Sequence, residues 1–400
     1  MSDARKNFTF LRQIVINVFL FIFIMLTIPL GAYQTEHVVI VLIDGVRYTE
    51  SLGDTTGTYM PALTALSEFA AVHDSAFNDS ITITRFGVPG SWMGRWHPLQ
   101  DTTYLGNDVD FCRFPTYWEY ARYDLNLPQS KAVSFTPDYG TGGWLPSFDS
   151  IYGPSYWPYF ASSANFGDKN AAVFDSAITV FGRNHPVVSY VYFPDTDHAG
   201  HSGVWEDYIA EIRQADSLTV ALWDFIQSDS VMAGKTTMFV INDHGRHDDA
   251  HGGFSGHGDT CFGCRHVMLL AIGPDVAQGV HVDSADASIT DVAVTAGELL
   301  GFDPVYSTGR ILYELFASCD YVVGDINSSG DFNGLDVTFG VAYFKGGDPP
   351  PYECECSPGN IWHVAGDVNG SCDYNGLDIT YAVSFFKGGS GPLPCEDCSP

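Results

Sequence analysis

The 400-residue chain has little positive charge: 18 Lys and Arg stand against 48 Asp and Glu, a formal net charge of −30. That balance excludes a surface built for nucleic acid, because affinity for phosphate backbones rests on clustered Lys and Arg. Long hydrophobic runs are scarce too. One run, from about Ile14 to Leu30, follows Arg5, Lys6 and Arg12 and reads as a secretory signal or an uncleaved anchor, with removal expected near Ala32. The chain is therefore expected to be exported, as a secreted, cell-surface or periplasmic protein. No second Cys-x-x-Cys lies at zinc-ribbon spacing from Cys261-Phe-Gly-Cys264, so a local disulfide is the expected reading of that pair after export. The cysteines lack an even count: there are nine, five of them beyond residue 350, so at least one thiol is unpaired or intermolecular.

Apolar residues are plentiful. At 45% of the chain they suffice for one large core with room for an appended module. Apolar, β-branched runs at His37–Ile43, Val187–Phe193, Thr236–Ile241 and Val267–Ile272 read as buried parallel strands. Helical patterns lie between them at Pro61–Ala71, Glu206–Ile226 and Asp291–Leu300. Strands alternating with helices predict an α/β fold, a three-layer α/β/α sandwich with a mainly parallel sheet. In such sheets functional groups gather at the carboxyl ends of the strands. Asp44, Asp197 and Asp243 all fall at or just after such ends.

Those positions belong to a longer series of acid-and-histidine motifs. They are VVIVLIDG around Asp44, TRFGVPGSWMG from Thr84, PDTDHAGH with Asp197 and His201, INDHG with Asp243 and His244, and GHGD with His257. Together they offer three carboxylates, three imidazoles and a hydroxyl, the donors needed for two adjacent divalent ions with a nucleophile between them. Mixed carboxylate and imidazole donors suit zinc, with manganese as the alternative. Two such ions can serve both the attacking and the leaving oxygen of an in-line displacement at phosphorus.

The order and spacing of these motifs, over roughly residues 36–317, resemble the alkaline phosphatase superfamily, in particular its phosphodiesterase/nucleotide pyrophosphatase-like branch. The resemblance implies one ion held by Asp44, Thr84, Asp243 and His244, and a second by Asp197, His201 and His257. Asp197 rather than Asp195 gives the Asp-x-x-x-His spacing, and His257 rather than His247 or His251 fits the last family histidine. Thr84 is implied as the catalytic nucleophile, passing through a phosphoryl-threonine, with Thr82 in reserve and Arg85 as a substrate phosphate contact. The segment departs from the family pattern at Phe86, Val88 and Met93. No Cys-x-Pro-x-Arg segment is present, which argues against a sulfatase dependent on formylglycine.

Beyond about Cys319 the composition shifts: residues 320–400 hold 12 acidic and 2 basic side chains, a net of −10. GDINSSGDFNGLDVTFGVAYFKGG from Gly324 repeats as GDVNGSCDYNGLDITYAVSFFKGG from Gly366, an offset of 42 residues. Each copy sets oxygen donors at alternate loop positions: Asp325, Asn327, Ser329, Asp331, Asn333 and Asp336, then Asp367, Asn369, Ser371, Asp373, Asn375 and Asp378. Ca2+ takes its oxygen ligands from such 12-residue loops. Asp at the last position, with one helix after each loop, resembles a dockerin type I pair and implies docking to a cohesin-like or cell-surface scaffold protein.

The expected organisation is thus a signal or anchor at 1–32, a catalytic domain at 36–317 and a calcium-loop module at 320–400. The expected activity is a two-metal hydrolysis of phosphodiester or pyrophosphate bonds, in a small molecule or a surface polymer. Phosphomonoester, phosphonate or sulfate ester hydrolysis, phosphotransfer to surface glycans, and a non-enzymatic adhesion module with structural metals are the alternatives. Tyr117, Trp118, Tyr139, Trp144, Tyr156 and Trp157 are either a nucleobase-stacking surface or lid core.

Overall fold

Alternate residues of the first strand, His37–Ile43, enter two different cores, and this layers the molecule. Val38, Ile40 and Leu42 pack with Val88, Trp92, Trp118 and Val292 on one face of the sheet. Val39, Val41 and Ile43 pack with Leu63, Val173, Phe181 and Ile212 on the other. A strand turns successive side chains to opposite faces, so a wholly apolar strand must be covered twice. The computed structural model describes residues 33–79, 81–136, 143–161, 168–283, 286–316, 321–357, 360–395 and 398. The N-terminal segment read as an export signal or anchor lies outside them, as does Tyr139. No helix among the described residues is long and apolar enough to cross a membrane. The chain divides into a unit spanning Tyr33–Ser318 and another containing Cys319–Pro400.

In the first unit an eight-stranded sheet runs in the order Val280–Val282, Ala71–His73, Leu269–Ile272, Thr236–Ile241, His37–Ile43, Val188–Phe193, Ala132–Phe135 and Tyr159–Phe160. The central strands are parallel, as expected. Leu269–Ile272 is the exception: it pairs antiparallel with both of its neighbours, which corrects the reading of Val267–Ile272 as one more parallel strand. The long helix spans Trp205–Ser228 and buries Tyr208, Ile209, Ile212, Ala215 and Leu222 as its spacing indicated, but Ile226 in place of Phe225, which is only partly buried. The helix from Pro61 ends at Leu66, and a 3-10 turn over Ser67–Phe69 leads into the strand Ala71–His73. Its first N–H groups, at Ala62 and Leu63, are held by the buried Asp216 carboxylate. Tyr117 and Trp118 are fully buried in the helix Tyr117–Asp124, so these two are core rather than a stacking surface.

The second unit folds each repeat as a loop and one helix, Gly334–Tyr343 and Gly376–Phe386. Phe332 stacks on Phe385, and Tyr374 stacks on Tyr343. The 42-residue offset relates the two ring pairs, so each is the repeat image of the other. Each loop aromatic thus packs on the helix of the other copy. Asp325, Asp336, Asp367 and Asp378 are buried within the loops. Asp325 accepts the N–H groups of Ser329 and Gly330, and Asp367 those of Gly370, Ser371 and Cys372. Cys372 stands where the first loop has Gly330. It takes the left-handed backbone with φ 58° and is bonded to Cys395.

Candidate metal centre

Strand register places the first ligands. Leu42 pairs with Ile241, and two residues beyond that rung on each strand stand Asp44 and Asp243. Both are buried, with His244 directly after. Donor atoms of Asp44, Asp243 and His244 lie within 4.8 Å of one another. His244 Nε2 is 3.5 Å from Asp44 Oδ1, 3.3 Å from Asp243 Oδ2 and 3.3 Å from the Thr84 hydroxyl. Thr84 opens the helix Thr84–Met93, whose N-terminus faces this group and favours an anion. Close approach is needed here: a Cβ at Gly87 would come within 2.3 Å of the Asp243 carbonyl oxygen.

A helical turn places the second set. Asp197 and His201 sit four residues apart on the helix Asp195–Ser202, which brings them to one face. His201 Nε2 is 3.2 Å from Asp197 Oδ2 and 3.0 Å from His257 Nε2. The imidazoles of His244 and His257 stack with centroids 3.9 Å apart, joining the two sets. Gly45 has φ +64°, and a Cβ there would lie 2.5 Å from Asp197 Oδ1, so the chain between Asp44 and Asp197 admits only glycine.

The electrostatics suit cations. Asp44 Oδ1 and Asp243 Oδ2 are buried carboxylate oxygens without a hydrogen bond, a costly state for a protein to leave uncompensated. Burial, with Asp243 beside it, pushes the Asp44 carboxyl well above its usual range, and burial lifts Asp243 to about 6. Burial lowers His244 and His257 to about 4. Their Nδ1 atoms lie 2.9 Å from the carbonyls of Gly245 and Thr82, so Nδ1 carries the proton and Nε2 is left as a ligand. Burial also acts on Asp197, but His201, His244 and Arg246 outweigh it and hold that carboxyl below its usual range. Two cationic charges would replace these unpaired and mutually opposed groups with bonded ones. The residues fit two divalent ions.

The structure brings Asp44, Thr84, Asp197, His201, Asp243, His244 and His257 together. Asp195 instead accepts the N–H groups of Lys169 and Asn170 at the start of a helix. Thr82 is also committed: its hydroxyl donates to the Asp259 carbonyl and accepts from Gly258 N–H. Arg85 is turned onto a β-hairpin, where its guanidinium pairs with Asp101 and Asp110, each at 2.8 Å. In this conformation two carboxylates thus engage the guanidinium expected to contact phosphate. The Cys261 and Cys264 thiols are free, which corrects the expectation of a local disulfide.

Sequence reasoning missed Arg246 and Tyr192. Arg246 is fully buried and donates to the carbonyls of Gly45, Asp197 and Phe254 and to the Asp197 carboxylate. Tyr192 donates to Asp44 Oδ2. The only advance signal was position, two residues after His244 and two before Pro194.

Residues 161–304, which include Asp197, His201, Asp243, His244 and His257 but not Asp44 or Thr84, match a family model described as the Metalloenzyme superfamily. No curated protein matches the chain in sequence. Among solved structures, murine ectonucleotide pyrophosphatase/phosphodiesterase 5, in an inactive form with AMP, aligns over 70% of this chain and 100% of its own, with TM-score 0.53 and 12% identity. A 2-O GAG sulfatase aligns over 70% and 74%, with TM-score 0.52 and 12% identity. The phosphonate monoester hydrolase of Agrobacterium radiobacter aligns over 79% and 78%, with TM-score 0.50 and 13% identity. At these identities the likeness is one of fold, a mixed α/β structure around a large, mainly parallel sheet.

Proposed function

We propose that the chain is an exported two-metal phosphohydrolase acting on phosphodiester or pyrophosphate bonds, with Thr84 as nucleophile. The observation that carries this reading is the Thr84 hydroxyl at a helix N-terminus, 3.3 Å from His244 Nε2 and beside two carboxylate-imidazole sets. Asp44, Asp243, His244 and Thr84 would hold one ion, and Asp197, His201 and His257 the other. Zinc suits this donor set, with manganese as the alternative. Divalent ions held there supply positive charge to the phosphoryl and leaving oxygens of an in-line displacement.

The chain's own groups do the rest. The Thr84 oxygen loses its proton to solvent and attacks phosphorus, the bond from phosphorus to the leaving oxygen breaks, that oxygen takes up a proton from solvent, and the phosphoryl group stays on Thr84. Water then attacks the same phosphorus, releasing the acid and restoring the Thr84 hydroxyl. Tyr192 orients Asp44, and Arg246 orients Asp197. The decisive experiment is hydrolysis of bis-p-nitrophenyl phosphate, p-nitrophenyl phosphate and p-nitrophenyl sulfate with zinc or manganese, for wild type and Thr84→Ala. Diester turnover that disappears in Thr84→Ala supports the proposal. Preference for the monoester or the sulfate moves the substrate class, and no metal-dependent turnover of any ester rejects the hydrolase.

The repeats are proposed to bind one Ca2+ each and to dock the enzyme on a cohesin-like or cell-surface scaffold. The buried Asp325, Asp336, Asp367 and Asp378, each at the end of an oxygen-rich loop, support this reading. Calcium titration of the full chain, repeated with Asp325→Ala and Asp367→Ala, tests it loop by loop.

A further inference from the structure

On either side of His257 the chain supplies a second ligand cluster that the proposed hydrolysis does not use. His247, Asp259, Cys261 and Cys264 each offer one donor atom, and all four atoms lie within 4.8 Å of one another. Cys264 is buried, Cys261 and His247 are half-buried, and only Asp259 faces water. His247 Nε2 is buried and makes no hydrogen bond. Opposite it, 3.3 Å away, stands Asp259 Oδ2. Asp259 Oδ1 accepts the N–H of Cys261, which turns Oδ2 toward the cluster. Both thiols are free.

From these residues we infer a third metal site, a tetrahedral zinc bound by His247, Asp259, Cys261 and Cys264. Ligands at zinc-nitrogen and zinc-oxygen distances of about 2.0 Å and a tetrahedral angle stand roughly 3.3 Å apart, as His247 Nε2 and Asp259 Oδ2 do. Two soft sulfur donors select zinc over manganese, magnesium or calcium, so this site differs in chemistry from the all-nitrogen-and-oxygen centre beside it. Four protein ligands leave no open position, the mark of a structural ion. A rival grouping of Asp248 and His251 with Cys261 is weaker, because Asp248 Oδ1 already takes the N–H groups of Ala250 and His251 and faces His251 Nδ1 at 2.7 Å.

The placement gives the ion a purpose. Residues 242–268 connect two antiparallel neighbours in the sheet, and this excursion carries both His244 and His257. His257 is two residues from Asp259, whose carbonyl accepts from Thr82. Gly245 N–H donates to the Cys264 carbonyl, which closes the base of the excursion beside His244. Zinc at the four ligands would pin this excursion and thereby hold His257 toward Asp197.

The test uses the full chain loaded with cobalt in place of zinc, because thiolate-to-cobalt absorption reports sulfur ligation whatever the catalytic state. Wild type is expected to show the thiolate band, Cys264→Ser to lose it together with one metal equivalent, and Asp259→Cys to strengthen it. If Cys264→Ser does not fold, wild type and Asp259→Cys still decide the matter. No thiolate band in wild type, or a mass and alkylation pattern showing Cys261 bonded to Cys264, overturns the inference.

Discussion

The two ligand sets of the metal centre are built in different ways, and the contrast shows how this fold divides rigidity from access. Asp44, Asp243 and His244 follow the ends of adjacent parallel strands, and their spacing is set by the rung between Leu42 and Ile241. All three are buried. Asp197, His201 and His257 come from one helical turn and one long loop excursion, and the His201 side chain is 51% exposed. The first set directly follows two paired strands, and the sheet sets its spacing. The second depends on local supports, chiefly Arg246. It is the side on which solvent reaches the cluster.

The largest expected effect follows from that difference. Asp243→Asn removes a donor whose place no solvent can fill, and diester turnover should fall on the order of 10³-fold, the equivalent of several kcal/mol of charge stabilisation. His201→Asn leaves a position that water can occupy, and a loss of roughly 10- to 100-fold is expected, within the range typical of weakened metal-site support. Paired measurement of kcat/KM and metal content would show the ordering. Equal losses in both variants would mean that the contrast in burial has no catalytic consequence.

Arg246→Met probes the local support of the second set. Its guanidinium is buried against the Asp197 carboxylate, and breaking such a pair costs about 3 kcal/mol. Denaturant unfolding of the metal-free protein should show that loss. Added zinc should recover part of it, since an ion bound at Asp197 restores a positive neighbour. A loss that zinc leaves untouched would place Arg246 in the packing of the loop rather than in support of the site.

Acidification should separate the sets as well. Metal needs deprotonated carboxylates and neutral imidazoles. In the first set burial lifts Asp243 to about 6 and Asp44 well above its usual range, while His244 stays neutral to about 4, so affinity should fall as these two carboxyls take up protons. In the second, contact with Asp197 raises His201 above its ordinary value of about 6.5, so protonation there begins at higher pH. His257, near 4, and Asp197, held low, do not limit it. Dialysis at stepped pH with zinc analysis should find a separate acid loss from each set, through Asp44 and Asp243 in the first and His201 in the second. Zinc retained in both sets well below pH 6 would contradict this assignment of the limiting groups.

These contrasts also mark what the sequence made legible. Apolar runs ending in an acid disclosed Asp44 and Asp243, and the four-residue spacing in DTDHAGH disclosed Asp197 and His201, because strand ends and helical turns leave a local trace. Direction does not: Val267–Ile272 is as apolar as its neighbours, and only the pairing of Leu270 with Val240 and Val72 reveals that its strand runs against them. Arg246 and Tyr192 act through contacts 49 and 148 residues away in sequence, which no spacing encodes. The free thiols of Cys261 and Cys264 are legible only once His247 and Asp259 are seen to converge on them.

The smallest expected effect concerns Arg85, next to the proposed nucleophile Thr84 in sequence yet turned onto the hairpin in space. Its guanidinium side chain is 43% exposed and shared between Asp101 and Asp110 on the hairpin of Gln100–Tyr104 and Asn107–Phe111. Exposed pairs of this kind contribute less than about 1 kcal/mol, so Arg85→Ala should barely shift the unfolding midpoint. If the hairpin contacts persist when substrate binds, KM for the diester should also change little. If the side chain swings from Asp101 to a substrate phosphate, a charge-assisted contact is lost in the variant, and KM should rise roughly tenfold with kcat nearly constant. That split distinguishes a bracing ion pair from a substrate clamp, because only a clamp is released and reformed in each catalytic cycle.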